Sequence, residues 1–149
     1  RVVADLIDLG VDNPKVHNAL FSTASFNQLQ LLGRALQHLK VMPEKSTAYT
    51  FLSQDDLNEF NYQKGDTEGI VNYGLSLKGI NLAAIFIENK EEGMIKISFR
   101  SEGDFDVNEF ARSYFNGGGH INAAGGKSFD TLEQTVLNFE TILNNINKQ

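Results

Sequence analysis

The segment of the sequence best suited to chemistry is a glycine-rich stretch around one histidine, Gly-Gly-Gly-His-Ile-Asn-Ala-Ala-Gly-Gly at residues 117–126. Five glycines in ten residues would destabilise the interior of a helix or a strand. Three successive glycines can instead present backbone N–H groups to phosphate oxygens. The segment therefore predicts an anion site formed by Gly117, Gly118 and Gly119, with His120 at its rim. The alternative is a tight turn that closes the preceding helix and leaves the histidine at the surface.

Arg100 is the second candidate for contact with an anion. It stands near the end of residues 94–101, where apolar and polar side chains alternate as in a strand with one buried face. Strand ends in α/β sheets commonly meet ligands, and a guanidinium group can bind a phosphate through two parallel hydrogen bonds. Ser101 follows and either adds a hydroxyl donor or begins a turn. A solvated arginine at a sheet edge is the alternative for Arg100.

Two further charged residues are weaker candidates. Arg34 falls on the polar side of an apolar helix and would face a ligand only if that helix bridged two domains. Glu68 lies in Asp-Thr-Glu-Gly at residues 66–69, where helix capping accounts for the carboxylates, although Glu68 could instead touch a ligand. The sequence has no Asp and His cluster typical of a two-metal centre and no Ser-His-Asp or Walker pattern. It therefore predicts an anion site without a visible catalyst.

The elements that must position these residues form a mixed α/β pattern. Strands interleaved with helices, together with one hairpin, predict a mixed β-sheet flanked by helices rather than an all-parallel sheet. The predicted strands are residues 47–52, 82–87 and 94–101, the last two forming the hairpin, with a short strand near 123–129. The predicted helices are a short one from Pro14, 26–39, 54–61 and 67–73, one capped by Asp106 and one begun by Asp130.

Length and composition limit the classes of function. The 149 residues suit one domain, or one domain plus a fragment of a neighbour. The absence of cysteine excludes disulfides, zinc–thiolate sites, iron–sulfur clusters and thiol catalysis. No apolar run approaches a membrane span and no signal-peptide pattern is visible, so we expect a cytoplasmic protein without a membrane partner. The net charge of −6 disfavours a grip on duplex DNA but allows a small anion in one local pocket.

The glycine–histidine segment resembles the signature of the DHHA1 domain, the C-terminal substrate-binding domain of DHH-family phosphoesterases. Three further segments are similar to that family: residues 66–72, 95–101 and 106–111. The resemblance covers residues 45–149 and implies a DHHA1-like fold preceded by connector helices. It also implies that residues 1–24 are the end of a truncated DHH domain and that residues 25–44 form the connector helix between the two domains.

Within that family the pattern is most similar to nanoRNases, an older name for which is exopolyphosphatase-related protein. These hydrolases degrade very short RNA and remove the 3′-phosphate from adenosine 3′,5′-bisphosphate. The resemblance implies that the DHH domain holds two metal ions, Mn²⁺ or Mg²⁺, through ligands that this chain lacks, so that this chain alone is inactive. Arg100, with Ser101 beside it, would then bind a phosphate or carboxylate-like group of the substrate. Residues 117–119 would supply backbone amides, and His120 would contact the phosphate near the scissile bond.

The resemblance also implies the partners of the chain and leaves other functions open. We expect short RNA or a nucleotide as substrate and the DHH domain of the same protein as partner, and a homodimer stays open. Related domains act on cyclic dinucleotides, on polyphosphate or on longer single strands. The acidic balance disfavours long single strands, which call for a basic track and stacking platforms. A non-catalytic RNA-binding module, as found appended to alanyl-tRNA synthetases, is a further alternative.

Overall fold

A computed structural model describes residues 23–146 of the chain as a six-stranded sheet with helices on both faces. The helices are α1 (Phe26–Gln37), α2 (Gln54–Glu59), α3 (Ile70–Leu75), α4 (Val107–Tyr114) and α5 (Leu132–Asn145). The strands are β1 (Lys40–Met42), β2 (Thr47–Leu52), β3 (Leu82–Asn89), β4 (Met94–Ser101), β5 (Gly118–His120) and β6 (Ala123–Ser128). The helix predicted from Pro14, and the expected DHH-domain end except residues 23 and 24, lie outside the described residues.

The sheet has the strand order β1-β2-β3-β4-β6-β5 and is mixed, as the sequence predicts. β2 and β3 are parallel, whereas the other neighbouring pairs are antiparallel. The predicted hairpin is confirmed, with Leu82 of β3 opposite Ser101 of β4. Since α2 and α3 lie between β2 and β3 along the chain, they supply the crossover that a parallel pair requires.

β3 lies at the centre of the fold and is buried on both faces, as its continuous apolar run predicts. Leu82, Ala84 and Phe86 pack into one core with residues of α4 and α5. Ala83 and Ile85 pack into a second core with residues of α1, α2 and α3. The alternation of side chains along the strand therefore separates the interior into two layers, one on each side of the sheet.

The second core covers only part of its face of the sheet. A Cβ atom at Gly74 of α3 would lie 3.4 Å from the Cβ atom of Ala83, so this helix packs directly on β3. On β4, the same face carries Lys96, Ser98 and Arg100, none of which belongs to either core. Within residues 23–146, no helix is long and apolar enough to cross a membrane.

Two elements begin later than the sequence predicts. α3 begins at Ile70 rather than at residue 67, because Gly69 adopts a left-handed conformation with φ of 80° and ends the preceding turn. Asp66 does not cap this helix; one carboxylate oxygen accepts a hydrogen bond from the backbone N–H of Gln63. The N-cap of α5 is Thr131 rather than Asp130, since the Thr131 hydroxyl accepts from the backbone N–H of residue 134.

Candidate anion-binding site

The sheet register brings Arg100 and His120 into one row. Arg100 lies opposite Ala123 across β4 and β6, and His120 lies opposite the same alanine across β6 and β5. Because neighbouring strands are about 4.8 Å apart, the Cα atoms of Arg100 and His120 are roughly 10 Å apart. Ala123 contributes only a methyl group between them. The two residues selected from the sequence therefore lie in one row of the sheet, with one short strand between them.

The Arg100 guanidinium group is largely uncommitted. Arg100 is half-buried, and its Nη1 atom donates one hydrogen bond to the backbone oxygen of Phe99, 2.8 Å away. The ion pairs found among residues 23–146 involve other cations, Arg34, His38 and Lys96. A guanidinium group carries five N–H donors in a planar fork, so a single internal bond leaves Arg100 able to bind an anion.

The environment of Ser101 does not leave its hydroxyl group free for a substrate. It is buried, and its hydroxyl donates to the backbone oxygen of Phe105 at 2.7 Å. The Ser101 hydroxyl oxygen in turn accepts a hydrogen bond from the Asn122 side chain at 2.9 Å. The expectation of a free hydroxyl donor is therefore corrected: Ser101 fixes the loop before α4 and the turn between β5 and β6. Through that turn it positions the strands that carry Arg100 and His120.

The glycine segment folds as a β-hairpin, which corrects the expectation of an open loop with three free amides. Gly118 lies opposite Gly125 in the β5–β6 pair. The Gly117 N–H donates to the Ala111 backbone oxygen at 3.2 Å, and the Gly119 N–H donates to Oδ1 of Asn108 at 2.8 Å. Two of the three amides assigned to phosphate are thus used within the protein.

Close packing explains the glycines in this hairpin. A Cβ atom at Gly117 would lie 1.9 Å from the backbone oxygen of Gly125. A Cβ atom at Gly126 would lie 2.8 Å from the Cβ atom of Phe115, which is buried in the first core. Both distances are shorter than any side chain tolerates. The sequence-based expectation that something packs tightly behind the glycine segment is therefore confirmed, and the packed group is Phe115.

Six residues of β4 and β6 form one continuous polar surface, which we call the open platform. They pair across the two strands, and paired residues of an antiparallel ladder share a face. The three pairs, in order along the strands, are Arg100 with Ala123, Ser98 with Gly125, and Lys96 with Lys127. A Cβ atom at Gly125 would meet only the Ile97 backbone oxygen, 3.6 Å away, so no described atom covers the centre.

The open platform is a local cationic surface on an acidic chain. It carries Lys96, Arg100 and Lys127 and no carboxylate, whereas the whole chain has a net charge of −6. Among residues 23–146, its acidic partner is Glu92, whose carboxylate lies 3.4 Å from Nζ of Lys96, with both side chains about half exposed. Since such exposed pairs are weak, the platform keeps its attraction for anions.

Sequence reasoning missed two basic residues, Lys127 of the open platform and Arg112 of α4. Lys127 follows Ala123 and Gly125 at intervals of two, which is the signal of a shared strand face. Arg112 of α4 lies against the glycine hairpin, since its Nε atom would be 3.2 Å from a Cβ atom at Gly118. Arg112 is exposed and donates through Nε to Asn108, one helical turn earlier. Its position on the polar side of α4, just before the glycine run, was the available signal.

Arg34 is engaged in an ion-pair cluster between α1 and α2. Its Nη1 atom lies 2.5 Å from Oδ1 of Asp56 and 2.9 Å from Oε2 of Glu59, and its guanidinium group lies over the Phe60 ring. Hydrogen bonds to the two carboxylates raise the pKa of Arg34 above its usual value. These contacts support a structural role, and nothing in this geometry favours the substrate contact considered for Arg34.

Asp56 is the buried member of that cluster. Its burial alone would raise the pKa of the carboxyl group. Hydrogen bonds from the backbone and hydroxyl of Ser53 and from Arg34 outweigh burial and hold the pKa of Asp56 below its usual value. Asp56 therefore stays ionised and joins the start of α2 to α1.

Glu68 is exposed and lies one residue before the left-handed Gly69 at the start of α3. Within residues 23–146, the structure shows no hydrogen bond or ion pair from its carboxylate to Arg100 or His120. Its contact with a ligand stays a prediction from the sequence.

A cavity of about 440 Å³ lies beside α4 and the end of α5, away from the open platform. Three carboxylates, those of Asp104, Asp106 and Glu109, line it together with aromatic side chains. Because this negative lining repels anions, the cavity does not compete with the platform as the predicted anion site.

The resemblance implies a metal centre, and the described residues do not provide one. Among residues 23–146, no three His, Cys, Asp or Glu side chains are grouped so as to hold a metal ion. Mn²⁺ or Mg²⁺ therefore does not fit the part of the chain that the structure describes.

Comparison with known proteins gives the family. The sequence pattern of the DHHA1 domain matches residues 44–149. The structure is similar to that of an exopolyphosphatase-related protein from Bacteroides fragilis, with 38% identity and a TM-score of 0.85 over 97% of this chain and 42% of that chain. A pGpG-specific phosphodiesterase from Vibrio cholerae shares the fold, with 14% identity and a TM-score of 0.56 over 92% of this chain and 43% of that one.

These matches confirm the predicted fold class, a mixed sheet flanked by helices. The chain spans less than half the length of either similar structure. The resemblance found in the glycine–histidine segment extends over the matched range, and the chain belongs to the DHHA1 domain family of the DHH phosphoesterases.

Proposed function

We propose that this chain is the substrate-binding part of a DHH-family phosphoesterase of the nanoRNase type. Its substrates would be short oligoribonucleotides, nucleoside 3′,5′-bisphosphates, or both. Hydrolysis would take place on a DHH domain that holds Mn²⁺ or Mg²⁺. The observation that carries the proposal is the row formed by Arg100, Ala123 and His120 at one end of the open platform.

Arg100 is the main contact with substrate in this proposal. Its planar guanidinium group can donate two parallel hydrogen bonds to one phosphate, and the Phe99 backbone oxygen holds it at the end of β4. His120 is exposed at the end of β5 in the same row. A phosphate between the two residues would accept hydrogen bonds from both, with only the Ala123 methyl group beneath it.

The environment of this row favours small anionic substrates. The cations of the platform are confined to two adjacent strands of an acidic chain. A long single strand would extend past them and meet a surface without a continuous basic track. The similar protein named exopolyphosphatase-related makes polyphosphate the second candidate ligand, and the test therefore includes it.

The test is a backbone-amide chemical-shift titration of the 149-residue chain with a 5′-phosphorylated diribonucleotide. We expect saturable shifts in residues 117–126 and in β4. Replacement Arg100→Ala should weaken binding at least tenfold, since hydrogen bonds to charged groups are worth about 1.5–3 kcal/mol. His120→Ala should weaken it less. Lys40→Ala on β1, three strands from β4, is the matched control and should bind like the wild type.

Parallel titrations with tripolyphosphate and a cyclic dinucleotide separate the alternatives. Tighter binding of either ligand than of the diribonucleotide would replace the proposed substrate class. A folded chain that binds none of the three, or an Arg100→Ala variant with wild-type affinity, would overturn the assignment of this site.

A further inference from the structure

We propose that Lys96, Lys127 and Phe129 form a second subsite at the far end of the open platform, which binds a further phosphate and base of the same substrate. This inference rests on the proposed function and deepens it. It makes the preferred ligand an oligonucleotide with more than one backbone phosphate, in preference to a nucleoside bisphosphate or polyphosphate.

The spacing of the cations along the platform defines two separate subsites, one at Arg100 and one at the lysines. Lys96 and Lys127 are paired across β4 and β6, four positions along the strand from the Arg100 pair. At about 3.4 Å per residue this separates the two pairs by roughly 14 Å. Side chains stand nearly perpendicular to a sheet, so the lysines and Arg100 face different phosphates of one ligand.

Between the two subsites, the side chains are small enough for a ligand to lie along the surface. Its middle pair is Ser98 and Gly125, a small hydroxyl side chain and none. Gly125 is exposed, and a Cβ atom there would have open space above it apart from its contact with the Ile97 backbone oxygen. A chain of two or three nucleotides could therefore pass from Arg100 to the lysines without crossing a bulky side chain.

The cations of the second subsite are free to bind an anion. The only ion pair of Lys96 among residues 23–146 is the half-exposed contact with Glu92. Lys127 is exposed and forms no ion pair within that range; its Nζ atom lies over the Phe129 ring, 5.9 Å from the centroid. Two lysines side by side repel each other, and a bound phosphate relieves that repulsion.

The exposure of the Phe129 ring beside Lys127 favours a nucleotide as the ligand. It follows β6 directly, is 65% exposed and belongs to neither core. Exposed aromatic rings beside cations are the means by which proteins bind single-stranded nucleic acids, because every base can stack on such a ring. Polyphosphate has no base and would gain nothing from Phe129.

The experiment measures the affinity of the 149-residue chain for adenosine 3′,5′-bisphosphate, for 5′-phosphorylated di- and tririboadenylate, and for tripolyphosphate. We expect the wild type to bind the tririboadenylate at least tenfold more tightly than the bisphosphate. In the double variant Lys96→Gln, Lys127→Gln this gain should fall to about twofold, with the affinity for the bisphosphate unchanged. Phe129→Ser should weaken tririboadenylate binding about fivefold or more and leave tripolyphosphate binding unchanged.

Two variants separate this inference from the proposed function. Arg100→Ala tests the first subsite, and Lys40→Gln is the control for loss of a lysine elsewhere on the sheet. If Arg100→Ala weakens the binding of every ligand and the lysine and Phe129 variants weaken the binding of none, the proposal of a second subsite is wrong and the proposed function stands. If Arg100→Ala binds all ligands like the wild type, the proposed function fails. Equal weakening of tripolyphosphate and tririboadenylate in Phe129→Ser would exclude base stacking.

Discussion

Gly125 and Gly126 are neighbours on β6 that face opposite sides of the sheet. A Cβ atom at Gly125 would touch only one backbone oxygen, at 3.6 Å, on the side of the open platform. A Cβ atom at Gly126 would lie 2.8 Å from the Cβ atom of Phe115 and 2.9 Å from its backbone oxygen. Gly126 is therefore required by the packing of the core, whereas Gly125 is required only if a ligand lies against the platform.

Replacement Gly126→Ala should lower the free energy of unfolding by about 1–3 kcal/mol, because the added methyl group overpacks a site beside a buried ring. Gly125→Ala should leave the free energy of unfolding within about 0.5 kcal/mol of the wild type. Urea denaturation followed by circular dichroism measures both values. Equal stability of the two variants would contradict the packing assigned to Gly126.

Gly125→Val tests the same pair of neighbours by binding. Its larger side chain stands on the platform between Arg100 and the lysines, so it should weaken binding of a 5′-phosphorylated diribonucleotide at least fivefold. The chemical-shift titration that tests Arg100 measures this change. Gly125→Ala serves as the size control, and wild-type affinity in Gly125→Val would show that the ligand does not lie across this surface.

The sequence alone could identify the glycine segment but not assign its glycines. A phosphate-binding loop and a tightly packed hairpin both demand residues without a Cβ atom, so composition cannot distinguish them. The use of the Gly119 amide by Asn108 depends on a contact between α4 and β5 that only the fold provides. Arg100 and His120 were found from their types and positions, while their shared partner Ala123 required the strand register.

The ion-pair cluster joins α1 to α2 through Asp56. This carboxylate accepts from Arg34 on α1, and it also completes the capping box of α2 through the Ser53 backbone N–H. Both bonds are stronger to the ionised carboxylate than to the neutral acid. The pKa of Asp56 is lower in the folded chain than in the unfolded chain, so the cluster stabilises the fold above the unfolded pKa and loses its effect as the pH falls through the folded pKa.

Asp56→Asn should therefore lower the free energy of unfolding near neutral pH and flatten its dependence on acid. The wild type and the variant should approach each other in stability at acidic pH, below the unfolded value of about 3.9 for aspartate. Urea denaturation at a series of pH values measures this convergence. Asp55→Asn, an exposed neighbour in the same helix, is the control and should keep the wild-type slope. A constant difference between Asp56→Asn and the wild type at every pH would refute the linkage.

The helices and strands differ in how far their sequences determine them. β4, α4 and α5 carry strict apolar periodicity, and the structure confirms each of them. β1 and β5 have three residues each, too few for alternation to be visible. β5 also consists of two glycines and His120, so its pairing with β6 depends on the close approach of backbones and not on side chains.

The uncovered half of one sheet face is a property of the whole topology. α1, α2 and α3 pack on β2 and β3, with α3 also reaching β4, and the chain places α4 and α5 on the other side of the sheet. β6 then inserts between β4 and β5, which extends the face beyond the reach of the first three helices. The polarity of Lys96, Ser98 and Arg100 was visible in the sequence, but the width of the exposed surface was set by a strand order that no local pattern contains.

Two electrostatic effects of this arrangement act in opposite directions on an anionic ligand. The net charge of −6 repels it at long range, and the three cations of the open platform attract it at contact. Salt screens the first effect and competes with the second, so the sign of the salt dependence shows which one controls binding. Since the proposed contacts are made directly to phosphates, we expect the contact effect to dominate.

Affinity for 5′-phosphorylated tririboadenylate should therefore fall as salt rises, with a slope of log K against log salt concentration near −0.7 for each phosphate contact on a single strand. Two or three contacts predict a slope of about −1.4 to −2.1. Isothermal titration calorimetry at several salt concentrations measures it. Arg100→Ala should reduce the magnitude of the slope by about 0.7, and Lys40→Ala should not change it. A flat or rising dependence in the wild type would mean that long-range repulsion controls binding and that the platform cations do not contact phosphate.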